Sequence, residues 1–170
     1  QHGEDYDTHG RGPARASLEC DQAITQHGKT GLLAVYCAND GTCGGASAAM
    51  KGAGIDPKTR PTTGQDAELA GIQRLLLGEQ YMTIYKAIKA EANAAAELAV
   101  SLAKGTGVPS GMTISKVNNK MIDVPSVLLK PVPVTIDTIQ STVVADGFWT
   151  AAQIMNTPEL QTAGAAAGIK

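Results

Sequence analysis

TGQDAELAGIQRLLLGEQYMTIYK, residues Thr63–Lys86, carries the reading of the fold. A polar corner, Gly64-Gln65-Asp66, precedes an amphipathic run. Leu69, Ile72 and Leu76 fall on one stripe of that run, and Gly78 marks its exit. YMTIY then supplies a β-branched and aromatic stretch, and Lys86 closes it. The order is loop, helix, strand. The spacing predicts a helix over 67–77 with Asp66 as its N-cap, since a side-chain carboxylate there accepts from the first free N–H groups. It also leaves a carboxylate at one chain corner and an ammonium at the next.

The same alternation extends in both directions. Pro13–Gln26 reads as a helix with Ala16, Cys20, Ala23 and Ile24 on one face and Gly28 beyond its end. GLLAVYCA is a continuous apolar run, the pattern of a parallel strand buried on both faces. TCGGASAAMKGAG follows as a small-residue helix. A short strand is expected near Arg60–Thr63, although its apolar signal is poor. Ile88–Lys104 is the strongest helix signal, with Ile88, Ala92, Ala95, Ala96 and Ala99 on its apolar face and Gly105 as its stop. Strand alternating with helix argues an α/β fold, a doubly wound parallel sheet. After Gly105 the alternation lapses. Val108–Asp123 reads as loop or short strand. PSVLLKPVPV is extended, with prolines that fit an edge or crossing segment. TPEL at Thr157 opens a short terminal helix.

Composition narrows the function classes. Hydrophobic residues are 43% of the 170, which allows a core, and charged residues are 18%. Fourteen basic and sixteen acidic residues give a formal charge of −2, without a Lys/Arg cluster, so nucleic acid is not an expected partner. No run is long and apolar enough for a bilayer-spanning helix. Gln1 opens a polar stretch without signal-peptide character, which suggests a mature, processed or fragmentary product. Cys20, Cys37 and Cys43 fit no zinc spacing. Cys37 and Cys43 can pair in an oxidising compartment, and three buried thiols are at least as well supported. His2, His9 and His27 form no metal-ligand pair, and no cofactor or metal site is expected. GTCGG lacks the Lys-Ser/Thr of a phosphate loop, and no nucleophile–base motif appears, so an enzyme is not expected.

Ligands of doubly wound sheets bind beyond the carboxyl ends of the strands. Three strand ends here carry polar groups: Asn39-Asp40, Gln65-Asp66 and Lys86. A carboxylate accepts from hydroxyls, an ammonium donates to them and an amide does both, a mixture suited to a neutral polyol. Each position also has an ordinary reading. Asp66 serves equally as a helix cap, Asn39-Asp40-Gly41 as a turn, and Lys86 as a solvated strand end.

The succession YCANDGTCGGASAAMKGAG, TGQDAELAGIQRLLLGEQYMTIYK, the Ala-rich helix, DVPSVLLKPVPVT and TVVADGFW resembles the C-terminal half of the sugar-binding proteins of ABC importers, closest to the D-xylose-binding group. The resemblance covers nearly the whole chain from about Tyr6. It implies two α/β lobes hinged around a sugar cleft, with Asn39, Asp66 and Lys86 as ligand residues and Asp40 and Gln65 as further candidates. Arg11 stands where the group usually places a sugar-stacking Trp. It also implies that 1–85 belong to the second lobe, that 86–107 cross to the first, and that 108–170 return through the hinge to the second lobe's remaining strand and terminal helix. The implied partners are a monosaccharide, a pentose such as xylose, and a membrane-embedded ABC permease, outside the cytoplasm. The group's first lobe precedes the matched region, so the Ala-rich helix, its apolar face otherwise unburied, is expected to meet that lobe or a second copy, or to be covered in a rearranged compact fold. The alternatives are the ligand-sensing core of a sugar-responsive repressor, which shares the fold, or a fragment acting as an interaction domain.

Overall fold

The structure, a computed structural model, describes residues 12–170. Its helices are α1 (Pro13–His27), α2 (Asp40–Gly52), α3 (Leu69–Leu76), α4 (Ile88–Ala103), α5 (Ala151–Ile154) and α6 (Pro158–Ala166). Its strands are β1 (Thr83–Tyr85), β2 (Ser115–Asn118), β3 (Asp123–Ser126) and β4 (Val132–Val134). Two compact units result: residues 12–85 with 133–170, and residues 86–132.

In the first unit, α1 buries Ala16, Cys20 and Ile24, the face its spacing predicts, together with Glu19. Pro13 stands in the first turn, where a helix N–H would lack a partner anyway. Against that face lies α2, rich in Gly and Ala, so the two backbones approach closely. Cys20, Ile24, Cys37, Cys43, Ala46, Ala49, Met50 and Ile55 form one core. Each of its large side chains, such as Met50, contributes about 1.5–3 kcal/mol by leaving water. All three cysteines are free thiols buried inside. Burial raises the Cys20 thiol to about 11. The Cys37 thiol is also pushed up, by donating to the Cys43 sulfur and by burial.

Three extended segments lie side by side next to this core. Val35 bridges Thr62 in parallel, through Val35 N–H to the Pro61 carbonyl at 3.0 Å and Thr63 N–H to the Val35 carbonyl at 3.1 Å. Thr62 in turn accepts from Tyr81 N–H at 3.1 Å, and Ile84 accepts from Asp66 N–H at 2.8 Å. Beyond them β1 pairs with β4. The weak strand expected near Arg60–Thr63 is therefore this central segment.

The GLLAVYCA strand departs from expectation. Only Val35 forms a ladder bridge, and one side of the run is open, with Leu33 68% and Tyr36 89% exposed. Leu32, Val35 and Cys37 face the α1–α2 core, while nothing among the described residues covers the other face. An unbroken apolar run was read as burial on both sides; one side is what these residues cover.

α3 buries Ile72, Leu75 and Leu76 and neighbours α5 and α6. Thr157 caps α6 through its hydroxyl, which accepts from Leu160 N–H at 3.3 Å, as TPEL foretells.

In the second unit, α4 has no buried residue, and Ile88, Val100 and Leu102 are each more than half exposed. β2 and β3 make an antiparallel hairpin in register Ser115↔Ser126 to Asn118↔Asp123. Pro125 sits in this two-stranded ribbon opposite Lys116, where an edge tolerates its missing N–H. An open groove of about 300 Å³ runs between α4 and residues 127–129.

Candidate functional site

Each extended segment of the first unit delivers a polar residue at its carboxyl end. Asn39 ends the first and caps α2. Its Oδ1 accepts from Thr42 N–H at 2.8 Å, and the Thr42 hydroxyl accepts from Asn39 N–H at 3.1 Å, a reciprocal capping box. The amide of Asn39 is half-buried. Asp40 N–H donates to the Gln65 carbonyl at 2.9 Å, which sets Asn39-Asp40 directly beside Gln65-Asp66. Asp66 N–H then reaches the Ile84 carbonyl of β1. Asn39, Asp40, Gln65 and Asp66 are thus brought together at one end of three neighbouring segments. Lys86 follows Tyr85, the last residue of β1, and is the first residue of the second unit. Arg11 lies outside the described residues.

Asp40 does not face solvent. It is fully buried, and its carboxylate accepts from Glu68 N–H at 2.9 Å, Gln80 Nε2 at 2.7 Å and the Thr83 hydroxyl at 2.9 Å. Arg74 supports the cluster, donating to Gln80 Oε1 at 3.1 Å and to the Asp40 carbonyl. Burial raises the Asp40 carboxyl above its usual range, against the opposing pull of these donors and of the Arg74 charge. Gly64 and Gly71 flank the carboxylate so closely that a Cβ at either would collide with it. Asp40 ties together α2, α3 and β1.

Asp66 is not the helix cap that its position suggested. α3 begins at Leu69, two residues later than expected, and its N-cap residue Glu68 makes no side-chain cap bond. The Glu68 N–H is instead held by Asp40 from another element. The reason is local: Asp66 has φ +92° and Ala67 φ +49°, so neither residue can enter a right-handed helix. Two successive left-handed non-glycine residues are costly, of order 1–3 kcal/mol each, and persist only where surroundings fix them. Every backbone hook here is fixed. Asp66 N–H binds Ile84, Ala67 N–H binds the Thr83 hydroxyl at 3.3 Å, and the Ala67 carbonyl accepts from Trp149 Nε1 at 2.8 Å. Asp66 is half-buried at the strand-end cluster.

Trp149 belongs to an aromatic brace. Its ring meets Phe148 edge-on at 5.3 Å, Phe148 meets Tyr85 at 5.0 Å, and the Tyr85 hydroxyl donates to Asp146. Burial, and next the Asp146 carboxylate, push the Tyr85 hydroxyl up to about 12. In sequence, Phe148 and Trp149 appear only within TVVADGFW, and no periodicity there signals these contacts. Among the described residues no His, Cys, Asp and Glu side chains gather to hold a metal ion, and no helix is long and apolar enough to cross a membrane.

A cluster of amide and carboxylate groups at adjacent strand ends is suited by its donors and acceptors to a small polar ligand. The family described as periplasmic binding protein domain matches residues 3–107. The chain belongs to that family. Among periplasmic binding proteins, it is 44% identical over 136 residues to the D-xylose-binding periplasmic protein of Escherichia coli, covering 80% of this chain and 40% of that protein. It is 40% identical over 130 residues to the protein of that name from Haemophilus influenzae, covering 76% and 38%. A solved ABC transporter solute-binding protein from Clostridium phytofermentans with bound β-D-glucose superimposes with a TM-score of 0.72 at 25% identity, covering 85% of this chain and 45% of that one. A carbohydrate transporter solute-binding protein from Chloroflexus aurantiacus, in complex with D-glucose, gives 0.72 at 27% identity, covering 86% and 42%. The fold is thus one α/β lobe of the two-lobe periplasmic binding protein architecture, and the chain spans about two fifths of the length of the curated relatives it matches.

Proposed function

We propose that this chain is the C-terminal part of a sugar-binding component of an ABC importer. It captures a monosaccharide, a pentose such as xylose, by closure of two lobes and without breaking a bond. Asn39, Asp66 and Lys86 are the ligand groups, with Gln65 beside them and Arg11 as a stacking or donating group at the entrance. Asp40 organises the site from below rather than touching the sugar, since its oxygens are fully buried and already accept three hydrogen bonds. On this reading the segment that starts at Lys86 and carries α4 crosses to a first lobe, which supplies the opposing half of the cleft. The bound sugar passes to a membrane permease outside the cytoplasm.

The observation that carries the proposal is the Asp66-Ala67 turn. A pair of left-handed residues, pinned through backbone groups on both sides, holds one carboxylate at the strand ends. Such strain, fixed from several elements, fits a preorganised ligand group. A carboxylate accepting from a sugar hydroxyl contributes roughly 1.5–3 kcal/mol when water is excluded. The likeness to xylose-binding relatives supports the ligand class.

Thermal melting of the two-lobe protein that contains this chain tests it. With xylose at about a hundred times its dissociation constant, stability rises by about 2.7 kcal/mol. Melting curves that stay flat with xylose, ribose, arabinose, glucose and galactose alike reject the sugar assignment.

A further inference from the structure

We propose that Trp149 is a positioning residue for Asp66, acting through the carbonyl of Ala67. The inference rests on the sugar-binding reading for its functional consequence and on the geometry alone for its mechanism.

The turn at 66–67 has two strained residues, φ +92° and +49°, and only glycine adopts such values without cost. Its three other anchors are Ile84 and Thr83 of β1, which hold Asp66 N–H and Ala67 N–H, and Asp40 at the start of α2, which holds the adjoining Glu68 N–H. The fourth comes from 82 residues away in sequence. Trp149 Nε1 donates to the Ala67 carbonyl at 2.8 Å. An indole carries one donor and no acceptor, so this bond uses its whole polar capacity. Ala67 is fully buried, so without Trp149 its carbonyl would lack a partner where water is excluded.

The ring itself is held. Phe148 packs against both Trp149 and Tyr85, and Tyr85 is tied to Asp146. Residues 146–149 therefore clasp β1 and the turn at once. Removing the indole N–H lets the Asp66-Ala67 peptides rotate toward unstrained values. The Asp66 carboxylate then occupies several orientations, and the sugar must select one of them.

The test uses the two-lobe protein with Trp149→Phe, which keeps an aromatic ring and removes the donor, and a second change, Ala67→Gly. Glycine adopts φ +49° without strain, so it removes the cause of the relaxation. Two readouts are taken: amide hydrogen exchange at residues 66–68 without ligand, and xylose titration by calorimetry. Trp149→Phe raises exchange at 66–68 about tenfold and weakens xylose binding about five- to tenfold, the size of one neutral hydrogen bond. Adding Ala67→Gly to Trp149→Phe restores most of both. A residue that merely fills space gives no such rescue. Unchanged exchange in Trp149→Phe, or no recovery in the double variant, overturns the inference. Should Trp149→Phe not fold, Ala67→Gly alone decides. With Trp149 in place it keeps exchange and affinity within about twofold, and a larger change shows that the alanine, not the clasp, sets the turn. If the parent binds no monosaccharide, the sugar reading falls, while the exchange result still decides whether Trp149 holds the turn.

Discussion

At the scale of single residues, charge and confinement separate two aspartates that look alike in sequence. Asp40 is fully buried and accepts three hydrogen bonds, whereas Asp66 is half-buried on a turn that no helix uses. Asp66→Asn keeps shape and removes charge. It should weaken xylose binding about ten- to a hundredfold, measured by calorimetry, with the melting temperature without sugar nearly unchanged. Tyr85 makes a pH prediction. Its hydroxyl titrates near 12 when folded, against the ordinary 10 of an exposed tyrosine. The folded state therefore retains this proton where the unfolded state has lost it. The resulting stability is fully present below pH 10 and is lost as pH rises from about 10 to about 12. Urea unfolding across that window should show the decline in the parent and a shallower one in Tyr85→Phe. Equal slopes in the two proteins contradict it.

At the scale of elements, Asn39 has two tasks that a single substitution separates. Its Oδ1 caps α2, and its amide is the proposed donor to ligand. Asn39→Asp keeps a capping oxygen next to a helix N-terminus, a site that favours negative charge. Stability should stay within about 0.5 kcal/mol of the parent while xylose affinity falls at least tenfold. Asn39→Ala loses both, with about 1 kcal/mol less stability and a melting temperature lower by roughly 2–4 °C. Equal affinity in Asn39→Asp and the parent removes Asn39 from the site. Helices were the most legible elements, since α1, α4 and α6 announce themselves through period, Gly stops and the Thr157 cap. The start of α3 was not legible. A sequence in which Asp precedes an amphipathic run satisfies the capping pattern, yet left-handed backbone at 66 and 67 is imposed by partners 16 to 82 positions away. The strand-end positions of Asn39, Gln65 and Asp66 were legible because strand–loop–helix order fixes where loops emerge. The Asp40 hub and the Trp149 clasp were not, because only tertiary contact makes them.

At the scale of the molecule, the two units differ in what holds them. The first has a continuous buried core around Met50 and a second packed region at Ile72, Leu75 and Ile154. The second has α4, none of whose 16 residues is buried. Isolated helices of that length are marginal in water, and most helix stability in proteins comes from burying one face. Alanine content favours α4, yet propensity alone leaves it close to balance. Hydrogen exchange of the 170-residue chain by itself should therefore show α4 amides protected no more than about tenfold over unstructured peptide. The amides of α2 and α3 should open only with global unfolding of their unit. Ala95→Gly removes about 1 kcal/mol of helix preference. In the 170-residue chain it should lower α4 protection further and leave the melting of the first unit unmoved. In a two-lobe protein whose first lobe covers the α4 face, the same change should lower the main melting transition, because the helix then shares a core. Strong α4 protection in the 170-residue chain would show that these residues bury the face against one another or against a second copy, and sedimentation over a concentration series distinguishes the two.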